Sequence, residues 1–302
     1  MRFAVFGDIH GNLFGLEAVL RDLRRHRPDA MIVTGDLVYK LPWGAEVIDL
    51  LRTLPHRAVL GNSELYLALW ETPLWPADLW NLPLAHAVIA WERRRLGADR
   101  LAWLAALPEH VALSAGRVED LLVVHGVPGN PFLPILGRPG EDRSPWVQTD
   151  ARVQELLGDV DADVVVCGHT HTPLIRPVAS RVRADITIVN PGSLSYGRGR
   201  AATVGQAGYA LLDWSGRTGW QVSLHTVHYD PAPLHAALLA LRGDYPVAAY
   251  IANRMRPTTA AAVEEPELDF VRFRWGDAPA WWEVRDDLPA WRSLRGDHVT
   301  TE

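Results

Sequence analysis

Five short, glycine-containing stretches of the sequence carry side chains that can bind metal ions. The stretches are FGDIHGN, TGDLV, GNSE, VHG and GHTH, and their donors are Asp8, His10, Asp36, Asn62, His125, His169 and His171. Carboxylate, amide and imidazole donors without a thiolate suit Mn, Fe, Zn or a mixed pair of ions, and not a structural zinc site. Seven donors exceed the needs of one ion and suit two.

A pair of ions with these donors favours the transfer of a phosphoryl group. Two ions about 3.5–4 Å apart can hold both the attacking and the leaving oxygen. A carboxylate between the ions reduces their mutual repulsion, and water bound to such ions loses a proton near neutral pH. The sequence therefore predicts hydrolysis of a phosphoester by a hydroxide that is held at a dinuclear centre.

Each stretch taken alone has a plainer explanation. A single Asp-x-His motif is more often a loop cap, and a single buried histidine is more often a hydrogen-bonded core residue. The metal interpretation depends on the co-occurrence of the stretches in this order. Each follows a predicted strand and contains a glycine that lets the backbone turn sharply.

Short apolar strands alternate with helical segments in the region that carries these stretches. The predicted strands are Arg2–Phe6, Ala30–Thr34, Arg57–Leu60, Leu121–Val124, Val164–Cys167 and Ile186–Val189, and the predicted helices are Leu13–His26 and Gly44–Thr53. This alternation indicates a layered α/β fold. Functional groups in such folds collect in the loops at the strand ends.

The remaining segments differ from this region in composition and in predicted secondary structure. An insertion from about Pro73 to Glu109 is rich in tryptophan, has a helical second half, and is predicted to form a lid beside the site. Strands are predicted at 208–213 and 220–227 in a second, antiparallel sheet, and helices at 232–242 and 247–255. We therefore expect one domain over residues 1–257 and a Trp-rich C-terminal extension over 258–302, which is either a loose segment or a latch.

Composition excludes several classes of protein. The chain has 302 residues, a net charge of −6 and one cysteine, Cys167. Stable binding of duplex nucleic acid is not expected, because there is no basic signature. A disulfide framework is excluded, and a reducing cytoplasm is the expected compartment. The sequence has neither a signal-peptide pattern nor an apolar run of about 18 residues, so no membrane association is expected. The Trp-rich segments allow a homo-oligomer.

The ordered stretches together resemble the calcineurin-like metallophosphoesterase family. NPGS with the following Arg198, and then GYALLD, resembles the branch that includes the YfcE-type bacterial and archaeal phosphodiesterases. The resemblance covers about residues 1–230. It implies a four-layer αββα sandwich with a dinuclear site at the strand ends and a small phosphoester as substrate. Manganese is the expected ion, and Fe, Zn, Co, Ni or Mg fit the same donors.

The resemblance also implies a role for each residue of the site. Asp8, His10 and His171 hold one ion, Asn62, His125 and His169 hold the other, and Asp36 bridges the two. Asp36, Asn62 and His125 are the predicted catalytic residues, and Asn12, Ser63 and Arg198 are the predicted substrate-binding residues. Asn12 can also be the N-cap of the helix that follows it. The protein serine/threonine phosphatase branch is disfavoured, because GDLVYKLPWG contains no Asp-Arg-Gly.

Ser63 departs from the family pattern, in which a histidine often follows the asparagine ligand. That histidine is paired with an acid and protonates the leaving oxygen, and a general acid is typically worth about 10²–10⁴ in rate. Because serine cannot do this near neutral pH, we expect a phosphodiesterase that prefers weakly basic leaving groups. His86 or His110 could supply the proton, and Glu64 could be an acidic partner. The alternatives are a phosphomonoesterase or nucleotidase, a protein phosphatase, and a binding scaffold like the retromer subunit of this family.

Overall fold

The computed structural model describes residues 1–70, 83–114, 121–136, 148–182, 185–195, 204–257 and 260–263. In these ranges the strands are β1 (Arg2–Phe6), β2 (Ala30–Val33), β3 (His56–Ala58), β4 (His110–Leu113), β5 (Leu121–Val124), β6 (Val164–Val166), β7 (Leu174–Ala179), β8 (Asp185–Asn190), β9 (Gln206–Ser215) and β10 (Gly219–His228). The helices are α1 (Leu13–His26), α2 (Gly44–Arg52), α3 (Asn62–Ala68), α4 (Pro83–Ala105), α5 (Asp150–Leu157), α6 (Ala232–Ala240) and α7 (Ala248–Arg254).

The first sheet has the strand order β10-β9-β1-β2-β3. β1, β2 and β3 are parallel, and Phe3 lies opposite Ala30. β9 and β10 form an antiparallel hairpin, and β9 pairs with β1 so that Arg2 lies opposite Asp213. The prediction that this hairpin belongs to a second sheet is therefore wrong. A hairpin pattern does not specify which strand it extends, and here it covers the open edge of β1.

The second sheet has the strand order β4-β5-β6-β8-β7. Its three central strands are parallel, and its two edge strands are antiparallel to them. Neither edge strand was predicted. β4 and β7 alternate between more and less exposed residues, and β7 contains Pro177, which is tolerated in an edge strand because such a strand has only one partner for its N–H groups.

Three apolar clusters separate four layers. Between the sheets lie buried residues of both, among them Val5 and Ile32 from the first and Val123 and Val166 from the second. The outer face of the first sheet is covered by a helical layer of α1–α4, and that of the second by α5. The predicted four-layer αββα sandwich is confirmed. Because β1, β2, β5 and β6 run in parallel within their sheets, their carboxyl ends meet along one edge.

Helix α4 forms most of the predicted insertion and has non-helical backbone at Gly97 (φ 67°). It packs against α2 and α3. The indole Nε1 of Trp91 donates to Asp244 (3.1 Å), and the Trp91 ring packs on Tyr245. Residues 73–82 of the insertion, and most of the predicted extension (258–259 and 264–302), lie outside the described residues. The lid and the domain boundary at 257 stay predictions. None of the helices described here has the length and apolarity to cross a membrane.

Candidate metal centre

Six of the seven predicted ligands follow the carboxyl ends of four strands, and the seventh, Asn62, begins a helix. Asp8 and His10 follow β1, Asp36 follows β2, His125 follows β5, and the remaining ligands are Asn62, His169 and His171. Asn62 is the first residue of α3, and the two histidines follow β6. Strands from both sheets therefore contribute to one site, which only the sandwich arrangement brings together.

Backbone strain is concentrated in these ligands. Five of them have positive φ angles, namely Asp8 (48°), His10 (49°), Asp36 (53°), His169 (69°) and His171 (59°). A non-glycine residue in such a conformation costs about 1–3 kcal/mol and persists where the surrounding structure demands it. The strain turns each side chain toward the same point, and its concentration indicates a functional site.

Asp8, His10, Asp36 and His171 form the first cluster. One donor atom from each lies within 4.8 Å of every other. His10 Nε2 is 3.0 Å from His171 Nε2 and 3.3 Å from Asp36 Oδ2, and His171 Nε2 is 3.2 Å from Asp8 Oδ1. All four residues are buried. Converging nitrogen and carboxylate donors of this kind suit a divalent cation.

Asn62, His125 and His169 form the second cluster. Asn62 Oδ1 lies 3.0 Å from His125 Nε2 and 2.9 Å from His169 Nδ1, and the two imidazole nitrogens are 3.3 Å apart. An amide oxygen between two ring nitrogens is a second donor set that suits a divalent cation.

Asp36 lies between the two clusters. Its Oδ2 faces His10 Nε2 in the first cluster at 3.3 Å, and its Oδ1 faces His125 Nε2 in the second at 3.5 Å. The backbone N–H of Ser63 donates to Oδ1 at 2.8 Å, which holds the orientation of the carboxylate. Each oxygen is therefore directed to a different cluster, as a bridging ligand requires.

Backbone carbonyls fix the histidine rings. His10 Nδ1 lies 3.1 Å from the carbonyl of Tyr39 and 3.3 Å from that of Val38, and His125 Nδ1 lies 2.7 Å from the carbonyl of Thr34. A carbonyl can only accept, so each Nδ1 carries the proton. Each Nε2 then presents a lone pair to the site, the tautomer that metal-binding histidines use.

Burial and charge act on the acids and bases of the site in different directions. Burial raises the pKa of Asp8 to about 7, while His125 opposes this rise and Asp36 adds to it. Burial also acts to raise the pKa of Asp36, but His125, His10 and Lys40 together hold it below its ordinary value. Burial and the charge of Lys40 hold the pKa of His10 well below its ordinary value. A neutral His10 and an ionised Asp36 are the forms that bind a cation.

Glu64 connects two of the loops that carry ligands. Its Oε2 accepts from the backbone N–H groups of Asp36 (2.9 Å) and Gly61 (2.8 Å), and its Oε1 accepts from Leu37 N–H (2.7 Å). The residue is fully buried, and burial together with Asp36 raises its pKa to about 8. Both oxygens accept backbone hydrogen bonds, so Glu64 serves to hold these two loops together.

Two glycines allow the close approach of ligands. A Cβ at Gly61 would lie 2.4 Å from both the backbone nitrogen and Oδ1 of Asp36. A Cβ at Gly168 would lie 2.8 Å from Asp8 Oδ2. The glycines beside the ligands therefore leave room for side chains of neighbouring loops, as well as letting the backbone turn.

The NPGS turn supports the loop of His169 and His171. Asn190 Nδ2 donates to the carbonyl of Gly168 (2.7 Å) and to Thr170 Oγ1 (3.0 Å). Ser193 Oγ donates to the carbonyl of Asp8 at 2.8 Å. These hydrogen bonds fix the backbone of ligands on two strands, so the turn acts as a positioning element.

The structure describes two of the three predicted substrate-binding residues, Asn12 and Ser63. Asn12 caps α1 by accepting from Gly15 N–H, as predicted, and its Nδ2 donates to the carbonyl of Leu194 (2.6 Å) and to Tyr229 OH (2.9 Å). Both amide hydrogens are thus used in the protein. Ser63 is fully buried, and its Oγ is 3.5 Å from His10 Nδ1. Arg198 lies outside the described residues. Phosphate contacts by these three residues stay predictions.

The two histidines considered as proton donors lie in other surroundings. The His86 ring packs on Trp70 with 4.3 Å between the ring centroids. His110 is exposed on β4, opposite Val124. Sequence reasoning assigned no role to Lys40, whose ammonium is 2.9 Å from His10 Nε2. Its position four residues after Asp36, in a loop that follows a ligand, is the signal that could have identified it.

Comparisons with known proteins identify similar proteins. A metallophosphoesterase from Sphaerobacter thermophilus is similar in structure, with 27% identity, a TM-score of 0.59, and coverage of 80% of this chain and 94% of its own. The YfcE phosphoesterase from E. coli has 18% identity and a TM-score of 0.37, over 76% of this chain and all of its own. An uncharacterised Methanocaldococcus jannaschii protein is 24% identical over 242 residues, which are 75% of this chain and 87% of that protein.

A family model shows where this chain belongs. The model described as calcineurin-like phosphoesterase matches residues 1–173, which include all seven predicted ligands. This family consists of divalent-metal-dependent phosphoric ester hydrolases, and the described residues contain a cluster of aspartate and histidine donors that suits such a metal. The chain therefore belongs to the calcineurin-like phosphoesterase family.

Proposed function

We propose that this protein is a phosphodiesterase that uses two divalent ions, with manganese as the expected pair. The observation that carries the proposal is the position of Asp36, whose two oxygens face different donor clusters at 3.3 and 3.5 Å. Asp8, His10 and His171 would hold one ion, and Asn62, His125 and His169 the other. When bound, the ions would activate water and neutralise charge on the phosphate. The single cysteine, Cys167, is buried, and we propose a reducing cytoplasmic compartment.

The protein itself supplies fixed orientation. Strained backbone and carbonyl contacts hold the ligand rings, so the geometry exists before the substrate arrives. Preorganised charge of this kind is a large contribution to catalysis because little reorganisation is needed during the reaction. Asp36, Asn62 and His125 would act as catalytic residues in this sense, by fixing the positions of the reacting oxygens.

The surroundings of Ser63 support a substrate with a weakly basic leaving group. A serine hydroxyl does not protonate a leaving oxygen near neutral pH, and both oxygens of the adjacent Glu64 are used by backbone N–H groups. Expulsion of a strongly basic alkoxide should therefore be slow, whereas an aryl or similarly weakly basic leaving group needs no proton. A small diester with such a leaving group is the substrate class that we propose.

A metal-loading and substrate experiment tests this function. The protein is stripped with a chelator, reloaded separately with Mn, Mg, Zn, Co and Ni, and assayed on bis(para-nitrophenyl) phosphate and para-nitrophenyl phosphate. We expect about two ions per chain, loss of activity on chelation, and a kcat/KM ratio of diester to monoester above one. A ratio below one contradicts the diesterase proposal, and full metal loading with no turnover on any phosphoester supports the binding scaffold.

Asp36→Asn tests the bridge itself. The variant should lose nearly all activity and bind less metal, because an amide offers one neutral oxygen where two charged oxygens face two clusters. Asp49→Asn is the matched control, since Asp49 lies on α2 in an exposed ion pair with Arg100. Wild-type activity in Asp36→Asn, with wild-type metal content, would refute the two-ion mechanism.

A further inference from the structure

Lys40 is unusual in both sequence and position. The 30 Lys and Arg residues of the chain include one lysine, and every other residue of this group is an arginine. The ammonium of this lysine lies 2.9 Å from His10 Nε2, beside the first donor cluster. An ammonium is a compact charge on a flexible stem, whereas a guanidinium is planar and larger. The site thus contains the one type of cation that the rest of the chain avoids.

The backbone around Lys40 is anchored on several sides. Leu41 N–H donates to the carbonyl of His10 (2.9 Å), and Tyr245 OH donates to the carbonyl of Lys40 (2.8 Å). Tyr39 N–H donates to the buried carboxyl of Glu92 on α4 (2.8 Å). Since neighbouring elements hold the backbone, a change in the position of the ammonium must come from rotations within the Lys40 side chain.

The backbone conformation also sets Lys40 apart. Its φ is 107° and that of Tyr39 is 68°, angles at which a glycine would be less strained. Strain of this kind is retained where the side chain or the loop shape is needed. A lysine at a position that favours glycine, in a chain that otherwise uses arginine, indicates a role for the ammonium itself.

The group that the ammonium contacts at the first donor cluster depends on whether ions are bound. Without ions, its charge lies 2.9 Å from His10 Nε2 and is attracted to the carboxylates of Asp8 and Asp36. A divalent ion among the same donors would repel it strongly. The ammonium must then turn away while its backbone stays beside the site. A phosphate held by the ions is the anion that it would meet there, and ammonium–phosphate contacts are strong.

We propose that Lys40 contacts the metal ligands in the metal-free protein and a phosphate oxygen of the substrate in the metal-loaded protein. This inference rests on the proposed function and adds a substrate-binding residue to it. Lys40 would supply a hydrogen-bond donor to the phosphate in a site where residue 63 is a serine and not the family's histidine. Because the same charge competes with the first ion, its removal should strengthen metal binding and weaken phosphate binding.

Chemical labelling tests the movement without any measurement of turnover. A protein expressed as residues 1–302 without a tag has two primary amines, Lys40 Nζ and the α-amine of Met1, which is exposed and serves as an internal reference. Both are acylated with limiting reagent, and the ratio of Lys40 to Met1 modification is measured by mass spectrometry. We expect a low ratio in metal-free protein, a several-fold rise with Mn, and a fall when orthophosphate is added to the Mn-loaded protein. A ratio that does not change between these three conditions overturns the proposal.

Variants test the two contacts separately. In Lys40→Met, calorimetry should show tighter Mn binding and about 10- to 100-fold weaker orthophosphate binding to the loaded protein, the loss expected for one hydrogen bond to a charged group. Arg25→Met is the matched control, because it removes one charge from an exposed position on α1. Lys40→Arg should restore part of the phosphate affinity.

Kinetics and controls then distinguish the possible failures. Loss of the phosphate contact in Lys40→Met should raise KM more than it lowers kcat. If Lys40→Met and Arg25→Met bind Mn and orthophosphate equally well, the inference about Lys40 is wrong, although the proposed function stands as long as the wild type binds metal and hydrolyses diesters. If the wild type neither retains metal nor hydrolyses a phosphoester, the proposed function itself fails.

Discussion

Removal of the Glu64 carboxyl should destabilise the fold and loosen the metal centre together. This side chain accepts three buried backbone hydrogen bonds, from Asp36, Leu37 and Gly61. Each buried donor left without an acceptor costs about 1–3 kcal/mol, so Glu64→Ala puts about 3–9 kcal/mol at risk. Glu64→Ala also removes the cost of burying the carboxyl, the same burial that raises its pKa to about 8, and this offsets part of the loss. We therefore expect the unfolding free energy to fall by about 3–5 kcal/mol.

Glu64→Gln gives a graded comparison. Its amide oxygen can still accept from Asp36 and Gly61, while its NH₂ group would face the N–H of Leu37. One lost acceptor predicts a smaller decrease, about 1–3 kcal/mol. Urea unfolding of the metal-free variants at constant pH measures the change, and Glu17→Ala, at an exposed position of α1, is the control. Exchange of the amide hydrogens of Asp36, Leu37 and Gly61 should accelerate in Glu64→Ala more than elsewhere.

The relative stability and metal content of the variants test this role of Glu64. The expected order of stability is wild type and Glu17→Ala, then Glu64→Gln, then Glu64→Ala, with metal content falling in the same order. If Glu64→Ala is as stable as Glu17→Ala and keeps its metal, the three hydrogen bonds do not hold the ligand loops together, and the positioning role of Glu64 is refuted.

Two further predictions concern Glu92 and Ser63. Burial raises the pKa of Glu92 to about 8, so the folded state retains a proton that the unfolded state loses near its ordinary pKa. The unfolding free energy of the metal-free wild type should therefore decline between pH 4.5 and 8 by about 3–5 kcal/mol more than that of Glu92→Gln. Urea unfolding at each pH measures both, and the same pH dependence in the two proteins would contradict this. Ser63→His should lower the diester-to-monoester ratio of kcat/KM with the same metal, and an unchanged ratio would show that Ser63 does not set the preference.

The donors that the structure brings together could be predicted from the sequence because their signals are local. Each donor stands within a few residues of a glycine and directly after or close to an apolar strand, and parallel strands end at the same edge of a sheet. Helix α1 was predicted at its observed bounds because Asn12 marks its start and apolar residues recur at helical spacing. The four layers followed from the family resemblance.

The features that could not be predicted depend on contacts between distant segments. The β9–β10 hairpin was recognisable, but nothing in its own residues shows that Asp213 pairs with Arg2. The role of Glu64 requires the loops of Asp36 and Gly61 to meet, and that of Lys40 requires a loop that folds back over His10. Side chains that act through another loop have no local sequence signal beyond their type.

Fixed and adjustable parts of the site have different consequences for chemistry. Six of the seven predicted ligands are buried, five of the seven are strained, and carbonyls fix the rings of His10 and His125, so the geometry of the donors leaves little scope for variation among substrates. Two positions around that centre are proposed to act on the substrate: Ser63, which departs from the family pattern and has a small side chain, and Lys40, whose side chain is long and charged. A rigid ligand set fixes the class of reaction, because it fixes where phosphate oxygens can be held. The choice among phosphoesters then depends on the residues that contact the departing and the non-bridging oxygens, and these two positions are the ones to vary when the specificity of this protein is to be changed.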